Sequence, residues 1–320
     1  MKALVYEGAQ RMRVLEIDEP QLGPGDLLIR VAAVGVCGSD LGLVRHGVPA
    51  IAPPLVLGHE FGGWREDNGE FVVVNPMLSC GQCAVCRDGR THLCAERKVL
   101  GFRRQGGYAE RVAVPADNVV PGPGLTATQA ALAEPIANGV HAWRRAGRPT
   151  QRVAIIGAGS VGLCLLYVLR TQGVRDITVV DVVPGRLAHA MALGASRVAG
   201  ALEADGMYEA VFDAAGTRDT RAAAVAATMP GGSVALIGLH DDELHLSAGA
   251  LVVGDKTLCG CFAYTRDEFA EAVRLAGGIP TSWVRSVPIE QAEQAYDELV
   301  RGVGSPLHGK TQFHFGALHA

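Results

Sequence analysis

The chain has 320 residues, 48% hydrophobic and 19% charged, a globular balance that leaves no room for a long disordered region and, at about 150 residues per domain, suggests two domains. Its net charge of −4 argues against a nucleic-acid partner, and 5% aromatics against a stacking platform for single strands. The uncharged stretch Val153–Leu169 has 17 residues, below the ~20 that span a bilayer, and MKALVYEGAQ carries no apolar signal core, so a cytoplasmic protein without membrane contact is expected.

In chain order, Leu27–Val34 reads as a strand and runs into Gly35-Val36-Cys37-Gly38-Ser39-Asp40. Gly58-His59-Glu60 follows, and Ala133-Glu134-Pro135 precedes a predicted helix. Taken singly these residues are ordinary: a lone Cys is usually a core residue, and Glu before Pro often opens a helix. Spacing alone does not bring the three segments together.

Between them, Cys80, Cys83, Cys86 and Cys94 form C-x2-C-x2-C-x7-C. Four thiolates at this spacing suit a tetrahedral zinc closed to chemistry, and Gly81, Gln82, Asp88, Gly89 and Arg90 suit tight turns around it. The alternatives are buried free thiols or two disulfides. By itself the lobe says nothing about function.

Arg152–Ile156 reads as a buried parallel strand entering Gly157-Ala158-Gly159-Ser160-Val161-Gly162, then an apolar helix, Leu163–Leu169. A second strand, Ile177–Val180, ends in Asp181, 19 residues past Gly162, near the ~20 expected for an acid that holds an adenosine ribose. Gly157 permits the turn, Gly159 lets a pyrophosphate approach, Gly162 lets helix and strand pack, and the helix N-terminus at Ser160 and Val161 offers free N–H groups. A lone G-x-G-x-x-G is weak, but here strand, turn, helix, strand and acid come in order. Asp181 suits the ribose hydroxyls of NAD and repels the 2′-phosphate of NADP; Arg186 either faces the same ribose or is a solvated helix residue. Further strands at Ala210–Phe212, Ser233–Ile237 and Lys256–Cys261, with helices near 185–193 and 219–228, predict a six-stranded doubly wound sheet. Two more helices are predicted at 267–276 and 290–300, and a closing strand near Lys310.

Cys37, Gly58-His59-Glu60, the four-cysteine lobe, Glu134-Pro135 and Gly157–Gly162 stand in the order seen in zinc-dependent medium-chain alcohol dehydrogenases. From Met1 to about Lys310 the chain resembles that family, most closely its sorbitol and threonine dehydrogenase branch. The resemblance implies an α/β protein with a GroES-like β-barrel catalytic domain, residues 1–136 and 263–320, carrying two zinc sites, and a Rossmann NAD-binding domain, residues 137–262. It implies a catalytic zinc held by Cys37 and His59, with Glu60 and Glu134 as further ligands or close neighbours, and an open position for substrate oxygen. The other zinc is structural, on Cys80, Cys83, Cys86 and Cys94. Ser39 would hydrogen-bond the substrate hydroxyl, and the backbone near Ile237, Gly238 and Cys261 would face the nicotinamide. The implied reaction moves a hydride between a secondary alcohol, or its ketone, and NAD, in a homodimer or homotetramer.

Departures from the family bear on substrate. The family's relay histidine, five positions past the zinc cysteine, is Gly42 here; His46 is the nearest histidine, either a relay or a loop residue. Leu43 and Ala263-Tyr264 stand where polyol dehydrogenases carry a tyrosine and Arg-Tyr, which disfavours sorbitol and favours a smaller or more apolar secondary alcohol, with a sugar-like, amino or cyclic alcohol left open. The His59–Cys80 segment is shorter than in the family, which is expected to trim a barrel strand and hairpin without touching the zinc ligands. Alternatives are an NADP-dependent carbonyl reductase of the same family, a zinc-free reductase of the same superfamily, a non-catalytic NAD and zinc binder, and a zinc-ribbon binding module.

Overall fold

In chain order the first elements are β1 (Lys2–Gly8), β2 (Arg11–Glu16), β3 (Asp26–Gly35), α1 (Gly38–His46), β4 (Leu55–Val56), β5 (Glu60–Arg65), β6 (Phe71–Val74) and β7 (Met77–Leu78). Then come α2 (Ala84–Arg87), β8 (Lys98–Val99), β9 (Arg111–Pro115), β10 (Val119–Pro121), α3 (Ala127–Ala130) and α4 (Ala133–Arg145). The middle holds β11 (Arg152–Ile156), α5 (Ser160–Thr171), β12 (Asp176–Val180), α6 (Pro184–Ala192), β13 (Arg197–Ala199), β14 (Tyr208–Asp213), α7 (Arg218–Ala227), β15 (Thr228–Leu236), α8 (Ala248–Val253) and β16 (Thr257–Gly260). The chain closes with α9 (Arg266–Ala276), β17 (Val284–Pro288), α10 (Ala292–Val300) and β18 (Lys310–His314). This computed structural model describes residues 1–8, 10–47, 51–302 and 308–316. It divides into two units, Met1–Glu134 with Thr265–Ala320, and Pro135–Tyr264.

The first unit is built on an antiparallel sheet of order β10-β6-β5-β3-β18-β17, with β9 also paired to β3 and the edge pair β17–β18 parallel. A three-stranded sheet, β2-β1-β4, and the small pair β7-β8 complete it. Ile29, Val34, Leu57, Phe61, Tyr108, Val112, Tyr296 and Phe313 fill one core cluster, each side chain worth about 1.5–3 kcal/mol of burial. Contrary to the expectation of a trimmed hairpin, the short His59–Cys80 segment keeps one: β5 and β6 pair antiparallel, and a tight turn closes it through Arg65 N–H to Glu70 O and Gly69 N–H to Arg65 O, both 2.9 Å.

The second unit is a six-stranded parallel sheet of order β13-β12-β11-β14-β15-β16. Chain order reverses between β11 and β14, the switch point at which such sheets bind ligands outside the carboxyl ends of their strands. Threonines start the helices: Thr217 accepts from Thr220 N–H at α7, as Thr265 does from Glu268 N–H at α9 of the first unit. The three-residue edge strand β13 has no signal of its own in sequence; it exists by pairing with β12.

Candidate functional site

Two ladder registers assemble a cluster of metal-capable side chains in the first unit. β3 and β5 pair antiparallel with Gly35 opposite Glu60. Cys37 lies just beyond Gly35 and His59 just before Glu60, so the ladder brings distant segments together. On the other edge of β3, Gln312 of β18 lies opposite Gly35. That register delivers Lys310, whose ammonium pairs with the Glu60 carboxylate out of contact with water. Ligand atoms of Cys37, His59 and Glu60 all lie within 4.8 Å of one another.

Cys37 is the N-cap of α1, at the positive end of the helix dipole. His59 turns Nδ1 toward Asp40 Oδ1, 3.3 Å away, which leaves Nε2 for a metal. Burial opposes a charge on His59, but Asp40 and then Cys37 outweigh it, and the imidazole is held well above its ordinary value. Asp40 is itself fully buried and accepts from Tyr108 Oη at 2.7 Å and Cys37 N–H at 3.3 Å. Phe102 lies against the His59 ring, centroids 5.3 Å apart. A thiolate, an imidazole oriented by a carboxylate, and a carboxylate are a donor set that fits zinc.

Glu134 is buried in the first turn of α4 and is not a member of that three-residue cluster. Ser39 is exposed near the start of α1. His46 is the exposed last residue of the same helix, about 13 Å from Cys37 along the axis at 1.5 Å per residue, which favours a surface residue over a proton relay. Leu43 is buried in the barrel core, so the loss of a tyrosine there concerns packing rather than substrate. Asp40, Tyr108 and Lys310 are missing from the residues read from sequence as the site. For Asp40 the signal was present, three residues after Cys37 in the first turn of a helix; for the other two it lies only in strand pairing.

The four-cysteine lobe has the dimensions of a tetrathiolate zinc site. The thiols are free, with Cys94 Sγ 3.5 Å from Cys80 Sγ and 3.9 Å from Cys83 Sγ, and Cys80 Sγ 3.9 Å from Cys86 Sγ. A disulfide needs about 2.05 Å, whereas the edge of a tetrahedron with Zn–S of about 2.3 Å is about 3.8 Å. Backbone N–H groups of Gln82 and Cys83 lower the Cys80 thiol to about 7, toward the thiolate a metal requires.

In the second unit, Gly157 turns at φ 99° with its N–H on Val180 O at 2.8 Å. A Cβ on Gly162 would lie 1.9 Å from Gly157 O, so only glycine fits where α5 leaves the loop. No atom would meet a Cβ at Gly159 within 4 Å, and Ser160 Oγ is buried without a hydrogen-bond partner. An open glycine, an orphaned hydroxyl and a helix N-terminus together fit a pyrophosphate. Val161 follows in the first turn. Asp181 Oδ2 accepts from Ala158 N–H at 2.7 Å and Oδ1 from Val183 N–H at 2.8 Å, while Arg186 Nη1 stands 3.7 Å from Oδ2. Ile237 and Gly238 N–H groups both bind Asp213 O at 2.9 Å, and Cys261 N–H binds Leu236 O at 2.9 Å.

Residues 23–124 match the alcohol dehydrogenase GroES-like domain family, and residues 160–277 the zinc-binding dehydrogenase family. The chain is 34% identical over 309 residues to the L-threonine 3-dehydrogenase of Streptomyces avermitilis, covering 87% of this chain and 90% of that one. It is 32% identical over 287 residues to the sorbitol dehydrogenase of Arabidopsis thaliana, covering 80% and 79%. A zinc-binding dehydrogenase of Sinorhizobium meliloti, solved with NADP, superposes with a TM-score of 0.89 at 25% identity, covering 98% of both chains. The ladder-built cluster, the thiol tetrahedron and the glycine turn thus stand in a member of the zinc-type medium-chain alcohol dehydrogenases, oxidoreductases that act on CH–OH groups.

Proposed function

We propose that the protein oxidises a secondary alcohol to its ketone with NAD, releasing NADH and a proton, and runs the reverse where the ketone is in excess. The observation that carries this reading is the register of β3 with β5 and β18, which gathers Cys37, His59, Glu60 and Lys310 around one buried point. Cys37, His59 and Glu60 hold the catalytic zinc, with Glu134 a further or alternative ligand, and Cys80, Cys83, Cys86 and Cys94 the structural one. Held there, zinc would supply a Lewis acid for the substrate oxygen, and NAD held by the second unit would supply the acceptor or donor of the hydride.

The chain's own residues do the rest. Asp40 fixes the tautomer and tilt of His59, and Lys310 balances the charge of Glu60. Ser39 Oγ takes a hydrogen bond from the substrate hydroxyl and, being exposed, passes the proton to solvent. In the second unit Gly157, Gly159, Ser160, Val161 and Gly162 hold the pyrophosphate, and Asp181, steadied by Arg186, takes the adenosine ribose. Each Asp181 oxygen keeps a lone pair beyond the backbone bond it accepts, enough for two ribose hydroxyls. A 2′-phosphate there would meet a buried carboxylate, which supports NAD. Ile237, Gly238 and Cys261 face the carboxamide.

The domains are read as residues 1–136 with 263–320 for both zincs and 137–262 for NAD. The substrate is a secondary alcohol of the sugar-like, amino or cyclic kind, or a smaller, more apolar one. The assembly is a homodimer or homotetramer; β16 is a free sheet edge, and α8 just before it exposes Val252 and Val253. The setting is read as cytoplasmic; no helix among the described residues is long and apolar enough to cross a membrane.

The test is a screen at the NADH absorbance band, pairing NAD and NADP with simple alcohols, polyols, amino alcohols and cyclitols, before and after chelation. Chelator-sensitive turnover with NAD supports the reading. Turnover that ignores chelation, or that needs NADP, overturns its metal or its cofactor half. Light scattering reads the assembly.

A further inference from the structure

We infer that Arg221 is the positioning residue for the nicotinamide half of the cofactor, acting through the loop that follows β15. This rests on the dinucleotide reading of the second unit. Arg221 lies in the first half of α7 and is 5% exposed. Its guanidinium donates to three backbone carbonyls of one loop: Nη1 to Glu243 O at 2.6 Å, and Nη2 to Asp241 O at 2.6 Å and Gly238 O at 3.4 Å. Hiding a guanidinium from water is costly, and its bonds return that cost only where they fix something.

What they fix is a segment whose one apolar hold on the core is Leu246, partly buried against the cluster at its far end. From Ile237 to Ser247 no residue is buried, and Leu239 and Leu244 are exposed. Beyond Arg221, the loop is tied at its base by Ile237 and Gly238 N–H to Asp213 O, and further out by Asp241 N–H to Gly216 O at 2.9 Å and Arg218 N–H to Asp241 Oδ2 at 2.7 Å. These ties run back to the end of β14, the turn after it and the start of α7, the helix that carries Arg221.

The loop's place in the sheet says what the tether is for. The loops after β11, β14 and β15 lie side by side along the carboxyl edge at the switch point. A Cβ on Gly157 would lie 3.1 Å from Ala215 N, and one on Gly216 only 2.1 Å from Gly238 C. In a doubly wound sheet the half bearing the ribose acid takes the adenosine, and the other half takes the second nucleotide. Asp181 marks the β11–β13 half, so the β14–β15 loops floor the nicotinamide side. A shift of Gly238 moves that floor and leaves the glycine turn and Asp181 where they are.

The experiment compares two ligands on the zinc-loaded protein: NADH, which occupies both halves, and ADP-ribose, which lacks the nicotinamide. Calorimetric titration of Arg221→Met is expected to weaken NADH roughly tenfold or more, as loss of charge-assisted bonds should, and to leave ADP-ribose within about twofold. Arg221→Lys, which keeps the charge but reaches fewer carbonyls, falls between. Equal losses for both ligands would mean that Arg221 serves the fold alone and would overturn the inference, as would unchanged NADH binding in both variants. Wild-type protein that binds neither ligand would overturn the dinucleotide reading itself, a different result from either.

Discussion

Tyr108 Oη donates to Asp40 Oδ2 at 2.7 Å, and neither residue has any surface open to water. Asp40 in turn faces His59, so a phenol at the barrel core orients an imidazole at a metal site through one carboxylate. Burial and then the Asp40 charge push the Tyr108 phenol well above its ordinary value, so the proton stays on Tyr108 as donor. Tyr108→Phe removes that donor and keeps the ring contacts to Tyr296 and Phe313. Loss of an outer hydrogen bond of this kind costs 10–100-fold in metal affinity in comparable sites, so roughly a tenfold loss of zinc affinity at the Cys37 site is expected, read by competition with a chromophoric chelator. Unchanged affinity would separate Tyr108 from the metal.

The four-cysteine lobe tests separately. Cys94 is fully buried and its sulfur lies within 3.9 Å of two others. Cys94→Ala leaves three thiolates, and zinc content is expected to fall from two ions to one per chain, with a lower thermal midpoint, because ligand-site binding energy is folding energy. Plasma emission spectrometry on dialysed protein gives the count. Two retained ions would mean that the lobe is not the second site.

How much of this was legible in sequence depended on range. The glycine turn and Asp181 sit within one β-α-β unit, and the four cysteines within one loop, so spacing alone exposed them. Cys37, His59 and Glu60 meet only because Gly35 pairs with Glu60, and strand register is set by hydrophobic alternation and turns over the whole sheet. Lys310 is further removed, arriving on β18 from the far end of the chain. Leu43, compared with the family as a substrate position, lies in the core, and β13 left no mark in sequence, since its three residues make a strand only because β12 offers a partner. α8 is apolar all round, so periodicity marks no one face of it; none of its residues is fully buried, and Leu251 alone packs on the core cluster.

Asp181 decides between cofactors. Its two oxygens are already bound by Ala158 and Val183 N–H groups and approached by Arg186. Asp181→Ser removes the carboxylate and frees Arg186 for a phosphate. The kcat/KM ratio of NAD over NADP is expected to fall by roughly a hundredfold, mostly through loss on NAD, since hydrogen bonds to a charged group are worth about 1.5–3 kcal/mol each. The comparison is made with one alcohol at saturating concentration. A ratio that does not move places ribose recognition elsewhere.

Asp213 gives a pH dependence of known sign. It is fully buried at the end of β14, where its carboxylate accepts from Ala215 N–H at 3.1 Å, Gly216 N–H at 2.8 Å and Thr220 Oγ at 3.1 Å. Burial is the larger effect and raises its pKa above the ordinary aspartate range despite those bonds. The folded protein therefore holds this proton at pH values where the unfolded chain has lost it. Stability falls as pH rises from about 4 through the folded value, and is flat in this residue above it. Within that window the slope reaches at most about 1.4 kcal/mol per pH unit. Asp213→Asn, which does not titrate, carries a constant offset and no such slope. Urea unfolding of both proteins at several pH values between 4 and 7 gives the difference directly: the gap between them should change with pH in the acid part of the range and then level off. Parallel curves throughout would show that Asp213 is charged in the folded protein over the whole range.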